Sequence, residues 1–286
     1  GGESCRRSAG LPERFVNPAP IAVPGLLRLI PDPPKALWVI GQLPTVPGVA
    51  IVGTRRCTSY GRKAALWLGE AVALAGWPVI SGLARGVDAA AHRAVVEAGG
   101  IGVAVLGSGL DTIYPPENRQ LAADLVGAGG AIISEYPPGT PPAPFRFPAR
   151  NRVISGLSAA VVVVEAALTG GALITARLAL EQGKEVLAVP GDIDRPTSAG
   201  CNLLIRDGAH PVLGAIDLIE SLEQIMGPAP TLAKSPDVAP GATVDELIAG
   251  SDRPVGEVLA ELARLELEGG LRVESGRTVT SPKKGS

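Results

Sequence analysis

Short, unbroken apolar runs recur along the middle of the chain, at residues 49–52, 78–80, 101–106, 131–133, 160–164 and 185–189. Each is followed by glycine or small polar residues, and longer stretches such as 62–74, 87–97 and 172–181 then return apolar positions at helical spacing. Runs without internal polar alternation predict strands buried on both faces. Alternating with helices, they imply a parallel sheet covered on both sides. Right-handed crossovers then give an α/β fold: an extended, Rossmann-like, doubly wound and mainly parallel sheet.

The pattern weakens at both ends. Residues 1–45 form a Pro-rich segment in which Ile30-Pro31-Asp32-Pro33-Pro34 turns into a first strand near Trp38. Residues 46–226 hold the regular α/β pattern, and 227–240, rich in Pro and Ala, read as a linker. In residues 241–286 the spacing predicts helices over 243–249 and 254–267, the second with Val255, Val258, Leu259, Leu262 and Leu265 on one face. Gly269-Gly270 ends that helix, and a hairpin turns at Ser275-Gly276. Helices followed by a short hairpin predict a small C-terminal winged-helix domain.

Composition narrows the classes. The 286 residues are 46% hydrophobic and 19% charged, which describes a folded protein with room for a large core. The net charge of −2 supplies no global field for nucleic acid, so any polyanion site must be local. Cys5, Cys57 and Cys201 are odd in number and lack C-x-x-C spacing, which argues against a disulfide framework or a zinc site and for reduced thiols in the cytoplasm. No run of about 18 apolar residues predicts a membrane span.

In open α/β sheets ligands bind beyond the carboxyl ends of the strands. The unusual residues fall there: Gly53-Thr54-Arg55-Arg56, Ser81-Gly82-Leu83-Ala84-Arg85-Gly86, Gly107-Ser108-Gly109, and Glu165 followed by Thr169-Gly170-Gly171. Taken singly, a tight βα turn accounts for each of these loops as well as a ligand does. Aromatics make up only 3% of the chain, yet two of its three phenylalanines fall beside three arginines in Phe145-Arg146-Phe147-Pro148-Ala149-Arg150-Asn151-Arg152. This stretch reads as a loop leading into a helix start. Guanidinium groups suit phosphates and ring faces suit bases, so the segment points to a nucleic-acid site, against the alternative of a solvated loop. Catalysis has little support. His92 lies mid-helix as a packing residue, no nucleophile elbow, H-E-x-x-H or Walker loop is present, and Glu165 is a lone carboxylate.

Together with Tyr114-Pro115, Ser134-Glu135-Tyr136-Pro137, Val189-Pro190-Gly191 and Gly200-Cys201-Asn202, these motifs resemble, in order, the bacterial DNA-processing protein A (DprA, or Smf) family over about residues 30–225. The resemblance leaves little room before residue 30 for the helical N-terminal domain of some members. It implies a non-enzymatic protein without a cofactor that binds single-stranded DNA and helps load the RecA recombinase in natural transformation or repair. A homodimer through the Rossmann-like domain is expected, with Leu203, Leu204 and Ile205 as a candidate apolar surface. Transferred to this sequence, the groove comprises Gly53, Thr54, Arg55, Arg56, Gly82, Arg85, Gly86, Arg146, Phe147, Arg150, Asn151, Arg152, Gly170 and Gly171. The arginines would hold phosphates and Phe147 would stack on a base. The alternative is a nucleotide-processing hydrolase of the lysine-decarboxylase-like Rossmann type, using Glu165. The stretch after Glu165 departs from the Pro-Gly-Gly-x-Gly-Thr such a protein requires.

Overall fold

All six apolar runs form strands in the computed structural model, which describes residues 19–230 and the strand residues 242–243, 272–274 and 278–280. They are β3 (Gly48–Val52), β4 (Val79–Ser81), β5 (Gly102–Leu106), β6 (Ala131–Ser134), β7 (Ser158–Val163) and β8 (Glu185–Ala188). Two strands precede them, β1 (Ala19–Ile21) and β2 (Leu37–Gly41), and β9 (His210–Pro211) follows. The nine strands are ordered β1-β2-β6-β5-β4-β3-β7-β8-β9. All pairings from β6 to β9 are parallel, while β2 and β1 add antiparallel at one edge. The sheet therefore extends into the Pro-rich N-terminal segment.

The helices are α1 (Gly25–Arg28), α2 (Ser59–Leu74), α3 (Val87–Glu97), α4 (Arg119–Gly127), α5 (Arg146–Gly156), α6 (Gly171–Glu181), α7 (Ala199–Arg206) and α8 (Ala215–Met226). Successive strand residues feed opposite layers, as the period of two requires. Val103, Val105 and Ile133 pack with Val153 and Ile154 of α5 and Ala176 of α6. Ala104, Leu106 and Ile132 pack with Leu121 and Leu125 of α4 and with Ala89 of α3. Leu27, Ile30 and Leu37, all from the N-terminal segment, join the first of these layers.

The Phe/Arg segment differs from its expected form. Phe145 is the N-cap and Arg146–Gly156 is helix, so the motif occupies the first two turns of α5 instead of a loop before it. Pro148 is compatible with this because first-turn N–H groups lack intrahelical acceptors in any case.

Residues 1–230 and 231–286 form separate compact units. In the second, β10 (Ala242–Thr243) and β11 (Arg272–Glu274) flank β12 (Thr278–Thr280), both antiparallel to it. Glu274 pairs with Thr278 across the expected hairpin turn. Thr243, expected to open a helix, ends β10 instead, and the remainder of the helices expected at 243–249 and 254–267 lies outside the described residues.

Candidate nucleic-acid interface

The chain order reverses direction at β3. From it, β4, β5 and β6 are laid down on one side and β7, β8 and β9 on the other. The crevice beyond the carboxyl ends of β3 and β7 is thus the topological switch point of the sheet. A groove of about 600 Å³ opens there. Its walls come from the loop after β3 (Gly53, Thr54, Arg55, Arg56), the groove-facing side of α5 (Phe147, Pro148, Arg150, Asn151), Tyr114, and the start of α6 (Gly170, Gly171, Thr175).

One wall carries a stack of charge and rings. The Arg55 guanidinium lies 5.0 Å from the Phe147 ring centroid, and the Phe147 and Tyr114 rings are 5.5 Å apart at 31°. Phe147 is half-buried and Tyr114 is 40% exposed, so ring surface remains open to solvent. Arg55 and Arg56 are exposed, and neither has a carboxylate partner among the described residues.

Beneath this wall lies a buried pair of opposite charges, Arg150 and Asp88, joined through the loop after β4 and not by a direct ion pair. Arg150 is 4% exposed and Asp88 6%. Arg150 Nη1 donates to Gly82 O at 2.8 Å and to Val105 O, while its Nε has no hydrogen-bond partner. The Asp88 carboxylate accepts from Gly82 N at 3.1 Å and Ala84 N at 3.4 Å. Burial pulls Arg150 down to about 10 and pushes Asp88 up, each opposed by the other's charge. Both ends of the pair grip the loop after β4. Any side chain at Gly82 would place a Cβ 2.6 Å from the Arg150 guanidinium. Leu83 holds φ +54°, fixed by Asn118 Nδ2 donating to Leu83 O at 2.8 Å. Gly86, at φ +78°, turns the chain back beneath Thr54. Among the residues lining the groove, Asp88 is the single carboxylate, and its Oδ2 is engaged by that loop.

The three arginines of α5 therefore occupy three different environments. Arg150 is a buried charge under the groove, already committed to two carbonyls, and not an exposed clamp. Arg152 faces away from the groove. It makes a bidentate pair with Glu135, at 2.7 Å to each oxygen, and a bond of 2.8 Å to Asp32. Arg146 packs 5.2 Å from the Phe145 ring centroid and 5.3 Å from that of Tyr136, and donates to Pro141 O. Neither Arg146 nor Arg152 lines the groove. Helical geometry is the reason, since positions 150 and 152 are about 200° apart around an α-helix. Arg85 and Gly86 sit outside the main groove too, with Arg85 paired to Glu117. Gly82 lies below the surface of the groove, against Arg150. Tyr114 and Asp88, absent from the expected site, belong to it. Both stand in glycine- or proline-marked loop motifs, and pairing the scarce aromatics would have singled out Tyr114.

Glu165 has a structural task. It is 3% exposed, and its Oε2 accepts from Thr58 N at 2.9 Å at the start of α2. It is not part of the groove wall. Among the described residues no group of three or more His, Cys, Asp or Glu is placed to hold a metal ion, and no helix is long and apolar enough to cross a membrane.

The chain matches the family model of DNA recombination-mediator protein A over residues 16–223. It is 40% identical over 270 residues to protein Smf of Escherichia coli, covering 86% of this chain and 71% of that protein. It is also 41% identical over 218 residues to DNA processing protein DprA of Bacillus subtilis, covering 74% and 73%. The X-ray structure of DprA from Streptococcus pneumoniae superposes with a TM-score of 0.67 at 39% identity, over 73% of this chain and 75% of that one. DprA from Helicobacter pylori, whose structure was described for its single-stranded DNA binding mode, superposes at 0.65 and 29% identity, over 72% and 95%. With more than two-thirds of its sequence inside that family model and an α/β sheet shared with these structures, the chain belongs to the DNA recombination-mediator protein A family.

Proposed function

We propose that this chain is a cytoplasmic, non-enzymatic recombination mediator. It holds single-stranded DNA in the groove at the switch point and passes it to a RecA-type recombinase, during uptake of foreign DNA or during repair. The Arg55–Phe147–Tyr114 stack carries this reading. Exposed ring surface serves unpaired bases, and a free guanidinium beside it serves the adjoining phosphate. A duplex hides its base faces, so the preference runs toward single strands. The described DNA-binding mode of the H. pylori protein supports the ligand class. A hydrolase reading gains no support here, because Glu165 and Asp88 are both engaged by backbone N–H groups.

Comparing affinities for an oligothymidylate and a duplex of equal length tests the proposal. Single strands should bind tighter, and Phe147→Ala should weaken them by about 1–3 kcal/mol, the value of one stacked base. Equal affinity for both forms would remove the stack from recognition.

A further inference from the structure

A second hollow, of about 310 Å³, shares Arg55 and Arg56 with the groove but contains neither of its aromatic rings. Arg62 reaches it from the first turn of α2, Arg93 from α3, and Arg85 from the loop before α3. Five guanidinium groups thus line one cavity against a single carboxylate, Glu117, and that carboxylate is paired directly with Arg85. Arg56, Arg62 and Arg93 are exposed and have no carboxylate partner among the described residues. Like charges at this density repel one another, and a low-dielectric wall behind them concentrates their field. A chain whose net charge is −2 does not acquire such a cluster as background.

The chemistry of the hollow selects its ligand. It holds no aromatic ring for a base to stack on, and its guanidinium groups fit phosphate oxygens. Because Arg55 and Arg56 belong to both cavities, a strand seated on Phe147 reaches the hollow through its own adjoining phosphates. We propose that Arg56, Arg62 and Arg93 form a shelf for the sugar-phosphate backbone of the same single strand as it leaves the groove. Glu117 tempers that shelf by occupying Arg85. This rests on the reading of the groove as a single-strand site.

The test uses the full chain with oligothymidylates of about 4 and about 15 nucleotides, spanning the usual range of single-strand site sizes, titrated at several salt concentrations. The double variant Arg62→Ala/Arg93→Ala should reduce the ratio of long- to short-oligomer affinity several-fold. It should also flatten the salt dependence of the long oligomer by about 0.7 for each phosphate that is no longer neutralised. Glu117→Gln should act oppositely and raise that ratio, since it frees Arg85 and removes the one negative charge. Arg62, Arg93 and Glu117 are all exposed, so their substitution leaves the fold intact. If the 4-mer binds wild type and loses affinity on Phe147→Ala, but the ratio is unchanged in the double variant, the shelf is disproved and the groove stands. If the double variant weakens both oligomers equally, the arginines act only as a diffuse field, and the shelf is again disproved. Failure of Phe147→Ala to affect either oligomer would overturn the groove itself.

Discussion

Arg55 and Arg152 carry the same side chain in opposite electrostatic states. Arg55 lies over a ring with no carboxylate beside it, whereas Arg152 is saturated by Glu135 and Asp32. A cation already neutralised within the protein releases few counterions when DNA arrives. Arg55→Ala should therefore reduce the slope of log affinity against log salt by about 0.7, the share of one single-strand phosphate. Arg152→Ala should leave the slope alone and instead lower the unfolding temperature. The loss corresponds to about 1–3 kcal/mol for charge-assisted bonds, toward the low end because the Asp32 side chain is 80% exposed. Equal slopes for Arg55→Ala and wild type would exclude Arg55 from the DNA path. Arg150 is unsuited to this comparison, since its buried guanidinium holds Gly82 O and Val105 O and its removal would disturb the fold under the groove as well as the charge. The sequence displays the number of arginines but not which of them are neutralised. That depends on Asp32, Asp88, Glu117 and Glu135, which approach from distant parts of the chain.

At the level of elements, the central strands were readable because burial on both faces removes polar alternation from β3, β5 and β7. β1 and β9 escaped notice, being three and two residues long and each containing a proline. Pro148 marks a helix start in the sequence, but α5 begins two residues earlier, at Arg146, because Pro is tolerated throughout a first turn. The loops after β3 and β4 were readable as glycine-rich, but their interlocking was not. Val87 N donates to Thr54 O, and a Cβ at Gly86 would lie 2.3 Å from that same oxygen. Gly86 also holds φ +78°, which side chains rarely adopt. Gly86→Ala should thus cost more than about 1 kcal/mol. It should also displace the loop bearing Arg55, so that single-strand affinity falls in protein still folded at the assay temperature. Lower thermal stability with unchanged affinity would show that the two loops are not coupled.

At the scale of the whole molecule, Leu203, Leu204 and Ile205, the apolar surface expected for self-association, are all half-buried. Leu204 and Ile205 pack against the core. Among the exposed apolar side chains are Trp67 at 52%, Leu213 at 74% and Ile216 at 78%, and Trp67 and Leu213 together line a cleft of about 230 Å³. If the protein dimerises through this face, Trp67→Asp should convert a dimer to a monomer in light scattering, and a mass that does not change would exclude the face. The C-terminal unit calls for a different expectation. A duplex-reading recognition helix needs basic residues, yet the sequence of the second expected helix carries Glu257, Glu261 and Glu266, with Glu268 directly after it, against Arg264. Such a segment repels phosphates, so the unit serves better as a protein-contact module than as a second DNA site. The sequence placed the linker from 227, but Ala229 is fully buried and its N–H is bonded to Glu223 Oε1 at 3.2 Å. The clean place to cut is therefore after Pro230, which is also where the first compact unit ends. Residues 1–230 should retain single-strand affinity within about threefold of the full chain, a change well under the 1.4 kcal/mol of a tenfold step. A tenfold drop, or duplex binding by residues 231–286 alone, would mean that the charge argument fails and that the second unit contributes directly to DNA binding.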